Sequence, residues 1–276
     1  MSNNHPERVP YMVFADAEGN IFEDTRFEAV GRSGYDVTPL SPEDFIELPF
    51  GSDLLTLPGR RPYGLHIGSG EFEIREDVVA AVLSAARSLD RRFIEAILRK
   101  DLDKYGVIDS WQEVMVPVLI IVGDEWARTG TGIEVEHLLS ETIVGLMRDL
   151  SLGIKKPING RPVLLASVGE ELHCLALHAL HAALAEQNIE CHFLGARTPL
   201  QALANVVERS APPAVFLWAQ LTKNGDPTFF RDIPSIRPAP RFILGGPGWD
   251  REECVEVAFA DDLTLACQEI KQAIGA

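Results

Sequence analysis

From Glu76 to about Leu152 the apolar positions recur at three- and four-residue spacing, the period of a helix with one buried face. Val78, Val79, Val82, Leu83 and Ala86 form one stripe. Phe93, Ile94, Ile97, Leu98 and Leu102 form a second, opened by Asp90, a side chain suited to cap a helix. Trp111, Val114, Met115 and Val118 define a third, in which Pro117 predicts a kink or break because proline has no amide hydrogen to donate. Val135, Leu138, Leu139, Ile143, Leu146, Met147 and Leu150 define the fourth. The joints K-Y-G-V and R-T-G-T-G are short, so residues 76–155 are predicted to fold as a four-helix bundle.

Past the loop K-K-P-I-N-G-R-P at 155–162 the pattern changes to short apolar runs alternating with helical stretches. Strands are expected at Val163 to Val168, Cys191 to Leu194, Ala214 to Ala219 and Phe242 to Leu244. Helices are expected at about 172–187, 199–209 and 250–257, with a closing helix at 262–274. Strands alternating with helices imply right-handed crossovers and a parallel sheet, so 160–276 reads as a Rossmann-like (flavodoxin-like) α/β domain. Ligands of such sheets sit beyond the carboxyl ends of the strands, which directs attention to the loops at 169–173, 195–199, 219–226 and 245–249. Residues 1–75 differ from both parts. Turn signals at 15–19, 32–35, 48–52 and 57–62 separate short apolar runs such as Tyr11 to Phe14, the pattern of a small strand-and-turn module.

Charge narrows the range of partners. The chain carries 25 Lys plus Arg against 41 Asp plus Glu, a formal net charge of −16. A surface so acidic repels phosphate backbones, and no compensating basic element is apparent, so direct nucleic-acid binding is not expected. No apolar run reads as a membrane span and residues 1–10 lack a secretory core, so a cytoplasmic protein is expected. Cys174, Cys191, Cys254 and Cys267 stand far apart, a spacing that fits neither a disulfide framework nor a zinc ribbon.

Two groups of residues could carry chemistry. In the loop S-V-G-E-E-L-H-C, Glu171 and His173 fall between a strand and its helix, where a carboxylate can orient an imidazole for a metal. His178 and His181 lie on other helical azimuths, which disfavours zinc. The loop G-G-P-G-W supplies Gly245, Gly246 and Trp249 at the end of the last strand, where missing side chains let a bulky ligand approach the backbone. It does not fit the dinucleotide pattern. In the bundle, Trp126 ends one helix, and Glu136 and His137 begin the next. An indole, a carboxylate and an imidazole at one end of a bundle suit a planar or sugar-bearing ligand.

The segment from W-Q-E-V-M to E-V-E-H-L-L-S-E, with Trp126, Glu136 and His137 spaced W-x9-E-H, resembles the helical cap of the cobalamin-dependent photoreceptor regulators of the CarH and LitR type. The following E-L-H-C-L-A is similar to their E/D-x-H-x-x-G motif, with Ala176 where glycine is usual. Their S-x-L and G-G elements fall on Ala219 to Leu221 and on Gly245 and Gly246. The resemblance implies a cobalamin, most readily adenosylcobalamin, clasped between bundle and sheet. His173 would be the lower cobalt ligand, with the nucleotide tail passing Ala219 and Gly245, and Trp126 and Glu136 would pack on the adenosyl group. Ala127 replaces a histidine found in some members, which leaves His137 as the candidate upper ligand after light.

The likeness does not extend to a DNA-binding domain of the MerR type. The expected output is therefore through another protein, a transcription regulator or a cobalamin-using enzyme, with homo-oligomerisation open, and the expected role is a sensor and not an enzyme. The first module resembles a leader segment of some radical-SAM proteins, although no C-x3-C-x2-C motif is present. The alternative implied is a corrinoid carrier or subunit, holding methylcobalamin or hydroxocobalamin for a methyltransferase or radical-SAM partner.

Overall fold

The computed structural model describes residues 74–276 except Glu256, and the backbone at 14–15 and 21–22. The chain divides into two compact units, Met1–Pro62 and Tyr63–Ala276. In the first, β1 (Phe14–Ala15) pairs antiparallel with β2 (Ile21–Phe22); of the turn expected at 15–19, Ala15 belongs to β1 and residues 16–19 lie outside the described residues. The turns expected at 32–35, 48–52 and 57–62 lie outside the described residues.

The second unit opens with the bundle: α1 (Glu76–Arg87), α2 (Arg91–Ser110), a π turn (Trp111–Met115), α3 (Val116–Thr129) and α4 (Ile133–Ser151). Asp90 caps α2 as expected, its carboxylate accepting the Phe93 N–H at 3.1 Å. K-Y-G-V interrupts the helix at Gly106, whose φ of 80° and ψ of 176° are open to glycine at little cost. The effect of Pro117 falls one turn upstream. Proline cannot donate to the Glu113 carbonyl, so the helix widens into the π turn just before it, and the Arg75 N–H donates to that carbonyl at 3.3 Å. The stretch Arg91–Thr129 includes an apolar window of bilayer length, but 67% of that window is buried inside this protein.

The remaining elements are β3 (Val163–Val168), α5 (Leu175–Glu186), β4 (Cys191–Thr198), α6 (Leu200–Ser210), β5 (Ala214–Trp218), a 3-10 turn (Thr222–Asn224), α7 (Thr228–Arg231), β6 (Arg241–Gly245), β7 (Ala258–Ala260) and α8 (Leu263–Ile274). All strand pairs of the five-stranded sheet are parallel, in the order β4-β3-β5-β6-β7. This is a flavodoxin-like order, which reverses direction between β3 and β5 and so opens a crevice at their carboxyl ends.

Helix α5 joins the two halves. Its sequence L-A-L-H-A-L-H-A-A-L-A-E is buried on nearly every side, and its alanines let bundle and sheet approach closely. One hydrophobic core consequently runs from Val82, Leu98 and Ile143 of the bundle through Leu177 and Leu180 to Leu165, Phe216 and Trp218 of the sheet. A second core, with Leu164, Leu217 and Leu203, covers the other face.

Three expectations are corrected. Where a helix is expected at 250–257, residues 251–255 form turns and bends, because Asp250 folds its carboxylate onto the Glu252 N–H at 2.8 Å, a local turn that competes with a helix start. Strand β7, too short to show a pattern, follows them. Strand β4 continues to Thr198 through two register shifts, between Phe193 and Gly195 and between Gly195 and Thr198, with positive φ at Gly195 and Arg197, so 195–199 is mostly a bulged edge strand and not a loop.

Candidate functional site

Glu171 is the centre of the crevice. It is completely buried and its carboxylate accepts five N–H groups. One oxygen takes the backbone N–H of His173 at 2.9 Å and its ring Nδ1 at 2.5 Å. The other takes the backbone N–H groups of Gln220 and Leu221, both at 2.9 Å, and the Asn224 amide at 3.0 Å. Burial alone would raise its pKa; the hydrogen bond and charge of His173, the Leu221 N–H and the Asn224 amide outweigh burial and hold it at about 2. An ionised carboxylate only accepts, so Nδ1 of His173 carries a proton; in the neutral imidazole this selects the tautomer whose lone pair is on Nε2, the form that would bind a metal. Because His173 and Cys174 are held by this contact, α5 begins at Leu175, a turn later than the apolar pattern suggests.

The ends of β5 and β6 support this arrangement from behind. The Ala219 carbonyl accepts the Gly248 N–H at 3.0 Å, and a side chain at Gly246, where φ is 95°, would stand 2.1 Å from that oxygen. At Gly245 it would stand 2.3 Å from the Phe216 ring. The glycines therefore serve the packing of the protein's own loops. Trp249, expected to face a ligand, is buried in the second core and donates its indole N–H to the Gly245 carbonyl at 3.0 Å. His178 and His181 pack against the Phe193 ring, with centroids 4.5 and 5.1 Å away, and burial lowers both pKa values, that of His178 to about 4. Among the described residues no cluster of His, Cys, Asp and Glu could hold a metal ion without further ligands.

The bundle contributes Glu136, which is buried and accepts the Ser140 hydroxyl at 3.0 Å. Burial raises its pKa, while the Ser140 hydrogen bond and the charges of His137 and His173 act in the opposite direction. Among the charges that act on Glu136 is that of His173, across the boundary between bundle and sheet. Trp126 is also buried but belongs to neither hydrophobic core, as is true of Leu221 beside Glu171. The Gly130 N–H caps the Trp126 carbonyl at 2.7 Å, closing α3 at that residue's level. His137 is half-exposed, its Nε2 3.6 Å from the Glu136 carboxylate.

The residues present fit a corrinoid. Ser167 Oγ, Trp218 Nε1 and Gln220 Nε2 are buried with no hydrogen-bond partner, and Ser167 and Trp218 are register partners at the ends of β3 and β5. Buried donors are rarely left unpaired. A ligand rich in amide and phosphate oxygens, held to a metal by His173, would complete them. Asn224, Ser167 and Gln220 were missed in the sequence; the signal available was the position of Ser167 near the end of β3 and of Gln220 and Asn224 in the loop after β5, with no spacing to distinguish them.

Comparison with known proteins agrees with this geometry. Residues 78–150, the bundle, match the family described as B12 binding domain. The chain is also 26% identical over 174 residues to the HTH-type transcriptional repressor CarH of Myxococcus xanthus, a match covering 61% of this chain and 55% of that protein. The chain thus spans about half the length of that curated relative. Among solved structures the monomethylamine corrinoid protein of Methanosarcina barkeri has the same fold, with a TM-score of 0.56 at 12% identity, over 70% of this chain and 96% of that one.

Proposed function

We propose that this protein is a cytoplasmic light sensor that binds adenosylcobalamin and signals through a partner protein. The observation that supports this over methyl transfer is the position of Glu136. It is buried at the end of the bundle, within electrostatic reach of His173 and one turn-and-helix from buried Trp126. A methyl carrier needs an upper face that a second active site can approach, and an indole with a carboxylate would obstruct it.

In this reading His173 holds cobalt through Nε2, and Glu171 keeps the Nδ1 proton in place so that the imidazole does not change tautomer. Glu136, with its pKa raised by burial, and Trp126 would pack against the adenosyl group, the carboxyl offering a polar handle and the indole a flat apolar wall. The bound cofactor supplies a cobalt–carbon bond that visible light breaks. The bundle, carrying Trp126 and Glu136, is the element that reads the upper ligand. The W-x9-E-H likeness to photoreceptor regulators favours light as the input.

Protein loaded with adenosylcobalamin in the dark should change its absorption spectrum under green light and shift its elution on size exclusion. An unchanged spectrum would reject the light sensor. Methyl transfer from bound methylcobalamin to a thiol acceptor, with no light response, would establish the corrinoid-carrier alternative.

A further inference from the structure

The helix that carries Trp126 lacks an N-terminal cap of its own. It restarts at Val107 after the break at Gly106, and glycine has no side chain with which to satisfy the first amide. The acceptor comes from the other half of the unit. Glu186, the last residue of α5, places its carboxylate 3.1 and 3.2 Å from the Val107 N–H. A side chain at Gly106 would come within 3.3 Å of the same carboxylate, so the glycine also makes room for it.

Glu186 is the wrong charge for its own position. At the carboxyl end of α5 a negative side chain opposes the helix dipole, and at the start of the helix from Val107 it complements that dipole. Burial and neighbouring Asp109 both raise its pKa, and the Val107 hydrogen bond lowers it. What explains the residue is the helix it caps and not the helix it belongs to.

α5 starts two residues after His173 and finishes at Glu186, and the helix that restarts at Val107 carries Trp126 near its other end. At 1.5 Å per residue Trp126 lies roughly 28 Å along its helix from the clasp. On a lever of that length a tilt of about 4° moves the indole by about 2 Å.

We infer that the Glu186–Val107 clasp is the fulcrum that sets the height of Trp126 over His173, which makes Glu186 a positioning residue for the upper face of the cofactor. This rests on the reading in which Trp126 meets the adenosyl group. With the clasp intact the helix is held at one end and reads the cofactor at the other; when the upper group is lost, the free end moves and the clasped end stays.

The test titrates the full chain with adenosylcobalamin and hydroxocobalamin in the dark, following the histidine-ligated spectrum. Glu186→Ala should weaken adenosylcobalamin three- to tenfold and leave hydroxocobalamin within twofold, its spectrum unchanged. Glu186→Gln keeps one acceptor oxygen and should restore the affinity to within twofold. Val107→Pro removes the donor at a first-turn position whose backbone tolerates proline; beyond the packing lost with the buried valine, it should reproduce the selective weakening of adenosylcobalamin over hydroxocobalamin. Equal effects on both cobalamins, or none, while Trp126→Ala discriminates between them, would overturn the fulcrum alone. A Trp126→Ala variant without discrimination would overturn the reading of the upper face, and this inference with it.

Discussion

Replacing Glu171 by Gln removes one charge and changes one atom, and the hydrogen bonds around the carboxylate determine the outcome. It accepts five N–H groups, three on one oxygen and two on the other. A glutamine has one accepting oxygen. If that oxygen keeps the three donors of Gln220, Leu221 and Asn224, its NH2 group faces both N–H groups of His173. The imidazole must then turn its unprotonated Nδ1 towards the amide and move its proton to Nε2, which removes the lone pair needed for cobalt. The His173 backbone N–H is left buried without an acceptor.

Two routes give the size of the effect. Losing a charged acceptor and orphaning a buried donor costs about 3–5 kcal/mol by the usual range for such groups. A fall in the Glu171 pKa from 4.5 to about 2 is worth about 3 kcal/mol in favour of the folded, ionised state. Because the folded-state pKa is the lower one, this stability is present above pH 4.5 and is lost as pH falls through about 2. Urea unfolding of the cobalamin-free protein should show Glu171→Gln destabilised by about 3 kcal/mol, and the loaded variant should lose the histidine-ligated spectrum. A loss under about 1 kcal/mol with ligation retained would refute the argument.

The same geometry sets three other expected outcomes. Gly246→Ala places a methyl against the Ala219 carbonyl at a φ of 95°, and should cost about 2 kcal/mol or more by urea unfolding, with weakened cobalamin uptake. Burial, with Arg148 and His181, lowers the His178 pKa to about 4, so neutral His178 favours the fold above about pH 6.5 and up to about 3 kcal/mol is lost as pH falls towards 4; His178→Leu should flatten that part of a stability–pH curve. Arg75 holds buried Asp101 through two hydrogen bonds of 3.0 and 2.7 Å, so Arg75→Ala should destabilise by about 3 kcal/mol and the double variant with Asp101→Ala by less, as a double-mutant cycle would show.

The bundle was legible because its stripes are long and its joints contain glycine, and the sheet strands because each is a run of buried apolar residues. The Glu171 and His173 pair was legible because its partners are two residues apart. What escaped was fixed by contacts between distant parts of the chain. Asn224 reaches Glu171 across 53 positions, and Glu186 reaches Val107 across 79; neither leaves a period or a spacing. The roles of Gly245 and Gly246 were visible as missing side chains but not what filled the space, which is Phe216 and Ala219. At 250–257 helical propensity was countered by one Asp side chain closing a turn.

The π turn at Trp111–Met115 has an effect well beyond its own five residues. Such a turn accommodates one more residue than an α-helix would in the same length, and one residue is about 100° of rotation. Everything downstream is phased by it, including Val122 and Trp126. A chain with one residue removed from this turn would keep every side chain named for the site and point the indole about 100° away from where it stands. Pro117, by denying Glu113 its helical partner, therefore sets the azimuth of an aromatic ring nine residues further on.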